Sequence, residues 1–125
     1  MSERPRPLPA LLTDLVCVVV FCTIGRRSHS EGLTVAGVAE TAWPFLTGTL
    51  AGWLAARAWQ RPADLYPTGL IVWVFTVVVG MLLRKATSAG TATSFIVVAS
   101  ITTAVLLLGW RAVAAALAHK ASRRR

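Results

Sequence analysis

The stretch Gly25-Arg26-Arg27-Ser28-His29-Ser30-Glu31-Gly32 separates two apolar segments of the 125-residue chain. Between its two glycines it places two guanidiniums, an imidazole and a carboxylate. The segment before it, residues 8–24, contains a single charged residue. As a helix this segment covers about 25 Å, close to the ~30 Å thickness of the hydrocarbon core of a bilayer. The pattern predicts a membrane-spanning helix that ends in a charged loop.

The composition also indicates an integral membrane protein. Hydrophobic residues make up 55% of the chain and charged residues 14%, whereas soluble domains contain about 25% charged residues. The net charge of +8 raises the alternative of a nucleic-acid binder, which needs a basic face on a folded body. The basic residues instead lie at the borders of the apolar runs. We therefore expect the lipid bilayer as a partner and no nucleic acid.

Four apolar runs predict an all-α fold, an integral membrane bundle of four transmembrane helices that forms a single membrane domain. The expected spans are residues 8–24, 41–59, 68–83 and 91–110, followed by a basic cytoplasmic tail over residues 111–125. Residues 33–40 fit either a short interfacial helix capped by Thr34 or the start of the second span. Because proline is best tolerated in the first turn of a helix, Pro44 favours a break near Thr41.

The distribution of positive charge predicts the orientation of the bundle. Four spans place both termini on one side, and cytoplasmic segments carry an excess of Lys and Arg. The inner set would be Arg4, Arg6, Arg57, Arg61, Arg111, Lys120, Arg123, Arg124 and Arg125, and the outer set Arg26, Arg27, Arg84 and Lys85. Nine inner against four outer basic residues predict an N-in/C-in, multi-pass protein of the cell (plasma) membrane.

Asp14 lies near the middle of the first apolar run. A carboxylate there costs about 2.5–3.5 kcal/mol on insertion scales, and such residues usually face the interior of a bundle. Asp14 is therefore either a structural acid bonded to a Thr or Ser of another span, or the proton or cation site of a carrier. Trp53 and Trp73 also fall near mid-span, where they either pack in the core or line a small cavity with Asp14. Trp43, Trp59 and Trp110 are expected at the membrane interfaces.

The basic residues on the outer side are exceptions to the charge rule. Arg26, Arg27 and Arg84 meet His29 and Glu31 there and are candidates for an outward anion or lipid-headgroup site, because guanidinium groups match phosphate and carboxylate geometry. Alternatively, Arg84 and Lys85 snorkel, and Glu40 or Glu31 pairs with an arginine to hold the loop down. One histidine with scattered glutamates lacks the spacing of metal ligands. We expect no metal and no cofactor.

Gly48 and Gly52 have the small-xxx-small spacing that allows two helix backbones to approach closely. The spacing fits packing within the chain as well as association with a second copy or a larger membrane partner. A further expectation follows from helical phase. Because Gly25 lies on the same side of the first helix as Asp14, the charged loop and the buried acid are candidates for the two ends of one polar path.

Several motifs extend over nearly the whole chain. They are Gly25-Arg26-Arg27-Ser28-His29-Ser30-Glu31-Gly32, Thr41-Ala42-Trp43-Pro44-Phe45, Trp73 with Thr76, Gly80-Met81 with Arg84, Gly90-Thr91-Ala92-Thr93-Ser94-Phe95 and Leu108-Gly109-Trp110-Arg111. Together they resemble the DUF3054 family, small four-helix membrane proteins of bacteria and archaea. The resemblance implies a membrane location and four spans, and it supplies no activity. It points to Asp14, Arg26, His29 and Arg84 as the polar positions typical of the family.

No motif of a hydrolase, zinc enzyme or nucleotide-binding protein is present in the sequence, and His29 alone gives weak support for a lipid-modifying enzyme. We favour a transport-related carrier with a mid-membrane carboxylate, Asp14, and an outward Arg/His loop. The architecture is similar to that of small multidrug-resistance transporters, an analogy of fold only. The alternative is a structural or accessory subunit that packs beside a larger membrane complex.

Overall fold

The computed structural model describes residues 7–28, 34–87 and 92–123. Within these ranges the chain forms four α-helices: α1 (Pro7–Ser28), α2 (Val35–Ala56), α3 (Leu70–Ala86) and α4 (Thr93–Arg123). A short helical segment, Leu65–Gly69, leads into α3. The described residues include no strand. The predicted all-α four-helix bundle is confirmed.

Among the described residues, three helical segments are long and apolar enough to cross a membrane. They are Pro7–Arg26, Leu65–Ala86 and Thr93–Arg123, and they indicate a membrane protein. The 22 residues of α2 give it a similar length, but Glu40, Pro44 and several threonines and glycines make it less apolar. The membrane-spanning role of α2 and the N-in/C-in orientation stay predictions.

The second helix begins earlier than the start near Thr41 that the sequence favoured. Thr34 is its N-cap and accepts a hydrogen bond from the backbone nitrogen of Gly37 at 2.9 Å, and the helix then continues through Pro44 to Ala56. The predicted break near Thr41 is therefore wrong, and residues 35–40 form the start of α2. Pro44 is fully buried. In a bundle, neighbouring helices compensate for the backbone hydrogen bond that proline removes, so the helix need not end there.

The small-xxx-small face of α2 packs against α3. A Cβ atom added at Gly48 would lie 2.6 Å from the carbonyl oxygen of Phe75, and one at Gly52 would lie 2.9 Å from the Cα of Val72. Real Cβ contacts are longer than this, so only glycine permits the observed approach of the two backbones. The face is thus occupied within the chain by α3.

The core consists of two apolar clusters with a polar contact in addition. The first cluster contains Val18, Phe21, Cys22, Ala42, Phe45 and Ala99, and the second contains Ala10, Trp53, Ala58 and Val72. The hydroxyls of Thr49 on α2 and Thr76 on α3 lie 2.8 Å apart and bond to each other. Each hydroxyl has one proton, so one of the two donates to the other, and the accepting hydroxyl donates to the carbonyl one turn earlier in its own helix.

The helices run alternately up and down, so each end of the bundle collects specific segments. The start of α1, the α2–α3 connection and the C-terminal half of α4 share one end, where Asp14 contacts Arg111; we call it the Asp14 end. The opposite end, the Arg26 end, contains the contact between Arg26 and Thr41. The 31 residues of α4 extend about 46 Å, so its exposed last turns project beyond the bundle at the Asp14 end.

Candidate functional site

A buried salt bridge joins the first helix to the last. The Asp14 carboxylate and the Arg111 guanidinium meet at the Asp14 end, and neither side chain is exposed to solvent. Asp14 lies about 10 Å along α1 from its first residue. The two partners are 97 residues apart in the sequence. Their contact therefore fixes the packing of elements from opposite ends of the chain.

Four hydrogen bonds saturate the Asp14 carboxylate. Arg111 donates from Nη1 to Oδ1 at 2.8 Å and from Nη2 to Oδ2 at 2.7 Å. The indole N–H of Trp53 donates to Oδ2 and that of Trp110 to Oδ1, both at 2.8 Å. A carboxylate offers about four acceptor positions. In this conformation Asp14 has no acceptor position left for a ligand.

Backbone carbonyls also hold Arg111 in place. Its Nε donates to the carbonyl of Pro62 in the α2–α3 connection, and its Nη1 donates to the carbonyl of Leu107, both at 3.0 Å. The guanidinium carbon lies 4.5 Å from the ring centre of Trp110. Gly69 provides the space, since a Cβ there would lie 2.7 Å from the Arg111 Cδ. The pair thus ties all parts of the Asp14 end together.

The burial of the pair has an energetic consequence. Because the two charges cancel and are hydrogen-bonded, they can lie among apolar helices at an acceptable cost. Apolar residues of similar volume often replace a buried pair without loss of stability, so stability alone does not explain its presence. Chemically, an anion near Arg111 would compete with Asp14 for the guanidinium donors.

A second polar group lies at the Arg26 end. A cavity of about 90 Å³ is lined by Phe21, Cys22, Gly25, Arg26, Thr41, Arg84 and Phe95; we call it the Arg26–Arg84 cavity. Nη1 of Arg26 donates to the Thr41 hydroxyl at 3.1 Å. The guanidinium carbon of Arg84 lies 4.4 Å from the ring centre of Phe95. All of these side chains except Phe21 and Cys22 are half-buried, so the cavity reaches the surface of the bundle.

An apolar layer lies between the two polar groups. Asp14 and Arg26 are 12 residues apart on α1, about 18 Å along its axis. Val18 and Phe21 occupy the same face between them and are 0% and 2% exposed. Phe45 contacts Phe21 edge to face, with ring centres 5.3 Å apart. In this conformation the expected polar path along α1 is interrupted by packed apolar side chains.

The two tryptophans predicted to line a cavity with Asp14 have different hydrogen-bond partners. Trp53 bonds directly to Asp14. Trp73 on α3 instead donates to the carbonyl of Ser100 on α4 at 3.0 Å. Trp110, which the sequence suggested was an interfacial residue, supplies the second indole on the carboxylate. The polar partners of Asp14 are thus tryptophan and arginine rather than the expected Thr or Ser.

Only part of the predicted outer site lies within the described residues. Arg26 and Arg84 line one cavity, as a shared site requires. Arg27 lies in α1, but its side chain, like the whole of His29 and Glu31, is outside the described residues. Their role in an anion site stays a prediction. Within the part of the chain that is described, no three His, Cys, Asp or Glu side chains lie close enough to hold a metal ion.

Arg111 is the site residue that sequence reasoning missed. It was assigned to the basic tail because it follows the fourth apolar run, and this assignment is wrong: its side chain is 0% exposed. A signal was present, because in an up-and-down bundle the end of the last span lies level with the start of the first. An acid near the start of the first span therefore has an arginine near the end of the last within reach. No comparable pattern in the sequence indicated that Thr41 bonds to Arg26.

Comparison with known proteins identifies the family. The model of a family described as "Protein of unknown function (DUF3054)" matches residues 11–114. The matched segment includes both partners of the buried pair and both arginines of the Arg26–Arg84 cavity. No curated protein and no solved structure matches the chain. Since the match covers most of its 125 residues, the chain belongs to the DUF3054 family.

Proposed function

We propose that the protein is a transport-related carrier of the plasma membrane in which the Asp14–Arg111 pair is the group that changes partner. The observation that carries this proposal is the complete burial of the pair at one end of a bundle that has a polar cavity at the other end. A carrier needs a site that is reached from one side while the other side is closed. The arrangement fits a conformation closed at the Asp14 end.

The hydrogen bonds of the pair suggest how this end would open. A proton on Asp14 removes the charge that holds the two Nη donors of Arg111. Arg111 also donates a hydrogen bond to the carbonyl of Pro62 and so links α4 to the α2–α3 connection. Loss of the ion pair would therefore loosen α4 and the α2–α3 connection from α1 together. The two states of the cycle would differ in whether Asp14 holds Arg111 or a proton.

The test is proton flux into liposomes that contain the purified full-length protein and a trapped pH-sensitive dye. We expect the wild-type protein to admit protons after a pH step and Asp14→Asn to lose this flux, because asparagine cannot take up a proton there. Asp64→Asn is the matched control, since Asp64 is a partly exposed acid at the same end of the bundle. It should keep the wild-type rate.

A second variant separates loss of function from loss of folding. Trp53→Phe removes one of the four donors to Asp14 but leaves the ion pair in place. We expect it to fold and to conduct protons faster than wild type, because the closed state loses one hydrogen bond. A wild-type protein without proton flux, or Asp14→Asn and Trp53→Phe variants with wild-type rates, would refute the carrier proposal.

The alternative, an accessory subunit, requires a free face for a partner. The Gly48–Gly52 face is occupied by α3. A different surface supports the alternative: an apolar groove of about 530 Å³ lined by Leu65, Tyr66, Leu70, Val105, Leu108, Gly109 and Ala112. Purification from native membranes in a mild detergent discriminates between the two. A stoichiometric unrelated protein supports the accessory role, whereas the chain alone or as a homodimer supports an autonomous carrier.

A further inference from the structure

The Arg26–Arg84 cavity is assembled from all four helices of the bundle. Arg26 comes from α1, Thr41 from α2, Arg84 from α3 and Phe95 from α4. Because every helix contributes at least one side chain, the cavity exists only in the folded bundle. It also responds to any movement of one helix relative to another. A ligand bound there would contact every helix of the protein at once.

Both guanidiniums in the cavity are held in position by neighbours. Arg26 bonds to Thr41 and lies against Gly37, where a Cβ would come within 2.6 Å of its Nη2. Arg84 lies over the ring of Phe95, a contact that favours a fixed plane for the guanidinium. Donors that are already oriented lose little conformational freedom when a ligand binds.

The size of the cavity restricts what it can hold. Its volume of about 90 Å³ has room for about three water molecules, at ~30 Å³ each in the liquid. Pockets for drug-sized molecules measure about 300–1,000 Å³. The space therefore fits a group of a few heavy atoms. The lining contains two arginine forks, which are suited to the oxygens of a tetrahedral oxyanion. The Thr41 hydroxyl donates to the carbonyl of Gly37 and accepts from Arg26, so it positions the guanidinium and is not itself a donor to the ligand.

We propose that the Arg26–Arg84 cavity binds a phosphate-type oxyanion, either free phosphate or the phosphate of a lipid headgroup. Arg26 and Arg84 would clamp its oxygens from opposite sides, and Thr41 would orient Arg26. The biological role of the bound anion rests on the proposed carrier function: the anion would be either the transported species or a regulator of transport. Binding itself is independent of transport and is tested separately.

A purely structural role for these arginines makes a different prediction. Arg84 lies in the last turn of α3, where a cation interacts favourably with the helix dipole, and Arg26 lies close to the end of α1. In that role each arginine acts on the stability of the bundle through its own contacts, such as Arg26 with Thr41 and Arg84 with Phe95, and not through a shared ligand. In a shared clamp, removal of either arginine abolishes most of the binding, and removal of the second adds little.

The test uses the full-length protein in nanodiscs of phosphatidylcholine, titrated with inorganic phosphate in a calorimeter. We expect saturable binding that chloride weakens by competition. Arg26→Gln and Arg84→Gln should each reduce the affinity on the order of tenfold or more, because each removes charge-assisted hydrogen bonds. Thr41→Val retains both charges and should weaken binding by roughly threefold to tenfold. This milder variant keeps the test valid if a glutamine variant does not fold.

The second arm replaces free phosphate with lipid. Wild type and variants are placed in nanodiscs of phosphatidylcholine with a little phosphatidic acid. After detergent extraction, the lipid that each protein retains is measured. Enrichment of phosphatidic acid without binding of inorganic phosphate assigns the site to a headgroup, and the reverse assigns it to the free anion. Arg61→Gln is the control, since the Arg61 side chain is 77% exposed and lies at the Asp14 end. It should behave as wild type in both arms.

Two results would overturn the inference: wild type that takes up neither phosphate nor phosphatidic acid, or glutamine variants that bind both as wild type does. Failure of the carrier proposal is distinguishable from either result. A protein that binds phosphate but conducts no protons would retain the anion site and lose the carrier. A protein that conducts protons but binds no phosphate would do the opposite.

Discussion

Removal of one partner of the Asp14–Arg111 pair would leave the other charge without a counter-ion in the interior of the bundle. We expect Arg111→Met to lower the free energy of unfolding by about 3–5 kcal/mol, the usual cost of an uncompensated buried charge. The double variant Asp14→Leu/Arg111→Met should recover most of this loss, because no charge remains. Unfolding in mixed detergent micelles, followed by circular dichroism, measures both quantities.

An exposed ion pair provides the control for this cycle. Nη1 of Arg61 lies 3.8 Å from Oδ2 of Asp64, and the two side chains are 77% and 42% exposed. Solvent screens such a pair, so Arg61→Met should change stability by less than about 1 kcal/mol. If the double variant at the buried pair were as unstable as the sum of its single variants, the two charges would not be acting on each other as the geometry indicates.

At the level of side chains, the sequence indicated that Asp14 was unusual but not what it bonds to. An acid in an apolar run is recognisable without any structure, because its insertion has a known cost. Whether Arg111 projects into the bundle or into the headgroups depends on the rotation of α4, and its flanking residues are apolar on both sides. The same uncertainty placed Trp110 at the interface.

At the level of helices, the approach of α2 to α3 depends on glycine. We expect Gly48→Ala to destabilise the bundle by about 1–3 kcal/mol, since the added methyl group would meet the Phe75 carbonyl and push the backbones apart. Gly109→Ala is the matched control. Apart from the backbone of its own helix and its two chain neighbours, no atom lies within 4 Å of a Cβ at Gly109, and alanine in a helix is favoured over glycine by up to ~1 kcal/mol.

Thermal unfolding in detergent compares these two variants directly. Gly48→Ala should melt below wild type and Gly109→Ala at or above it. Equal melting temperatures for the two alanine variants would mean that the glycine face of α2 does not set the helix separation. The comparison is informative because both substitutions add the same methyl group to the middle of an α-helix, and only the surroundings differ.

The existence of four helices followed from the sequence, whereas their ends and faces did not. Apolar runs longer than 15 residues admit few structures other than helices in a membrane. Pro44 was taken to mark a helix start because its cost was judged for an isolated helix. In the bundle Pro44 is buried, and Thr34 caps the helix ten residues earlier. Tertiary packing decided this boundary.

For the whole molecule, the charge distribution still predicts an N-in/C-in orientation. Arg111 is buried and no longer counts as a loop charge, so the nine inner basic residues become eight against four outer ones. We expect a C-terminal green fluorescent protein fusion to fluoresce and a C-terminal alkaline phosphatase fusion to be inactive. Phosphatase inserted after Gly32 should be active. The reverse pattern of activities would contradict the predicted orientation.

The arrangement of the helices was beyond what hydropathy can provide. The sequence indicated an even number of spans, and the described helices do run up and down so that Asp14 and Arg111 meet. The packing of α2 could not be inferred, because Glu40, Pro44 and its threonines and glycines give it the composition of an interfacial segment. Instead, the face of α2 that packs against α1 and α3 includes seven buried residues: Ala42, Pro44, Phe45, Gly48, Thr49, Gly52 and Trp53.

The separation of Asp14 from its partners also imposes an order in time. The ribosome adds about 5–20 residues per second, so the 97 residues that precede the arrival of Arg111 take on the order of 5–20 s. Trp53, only 39 residues away, is synthesised well before it. During biogenesis the first helix must therefore wait in the membrane with its acid held at most by an indole. A nascent chain stalled before the fourth helix would present a recognisable target for membrane quality control.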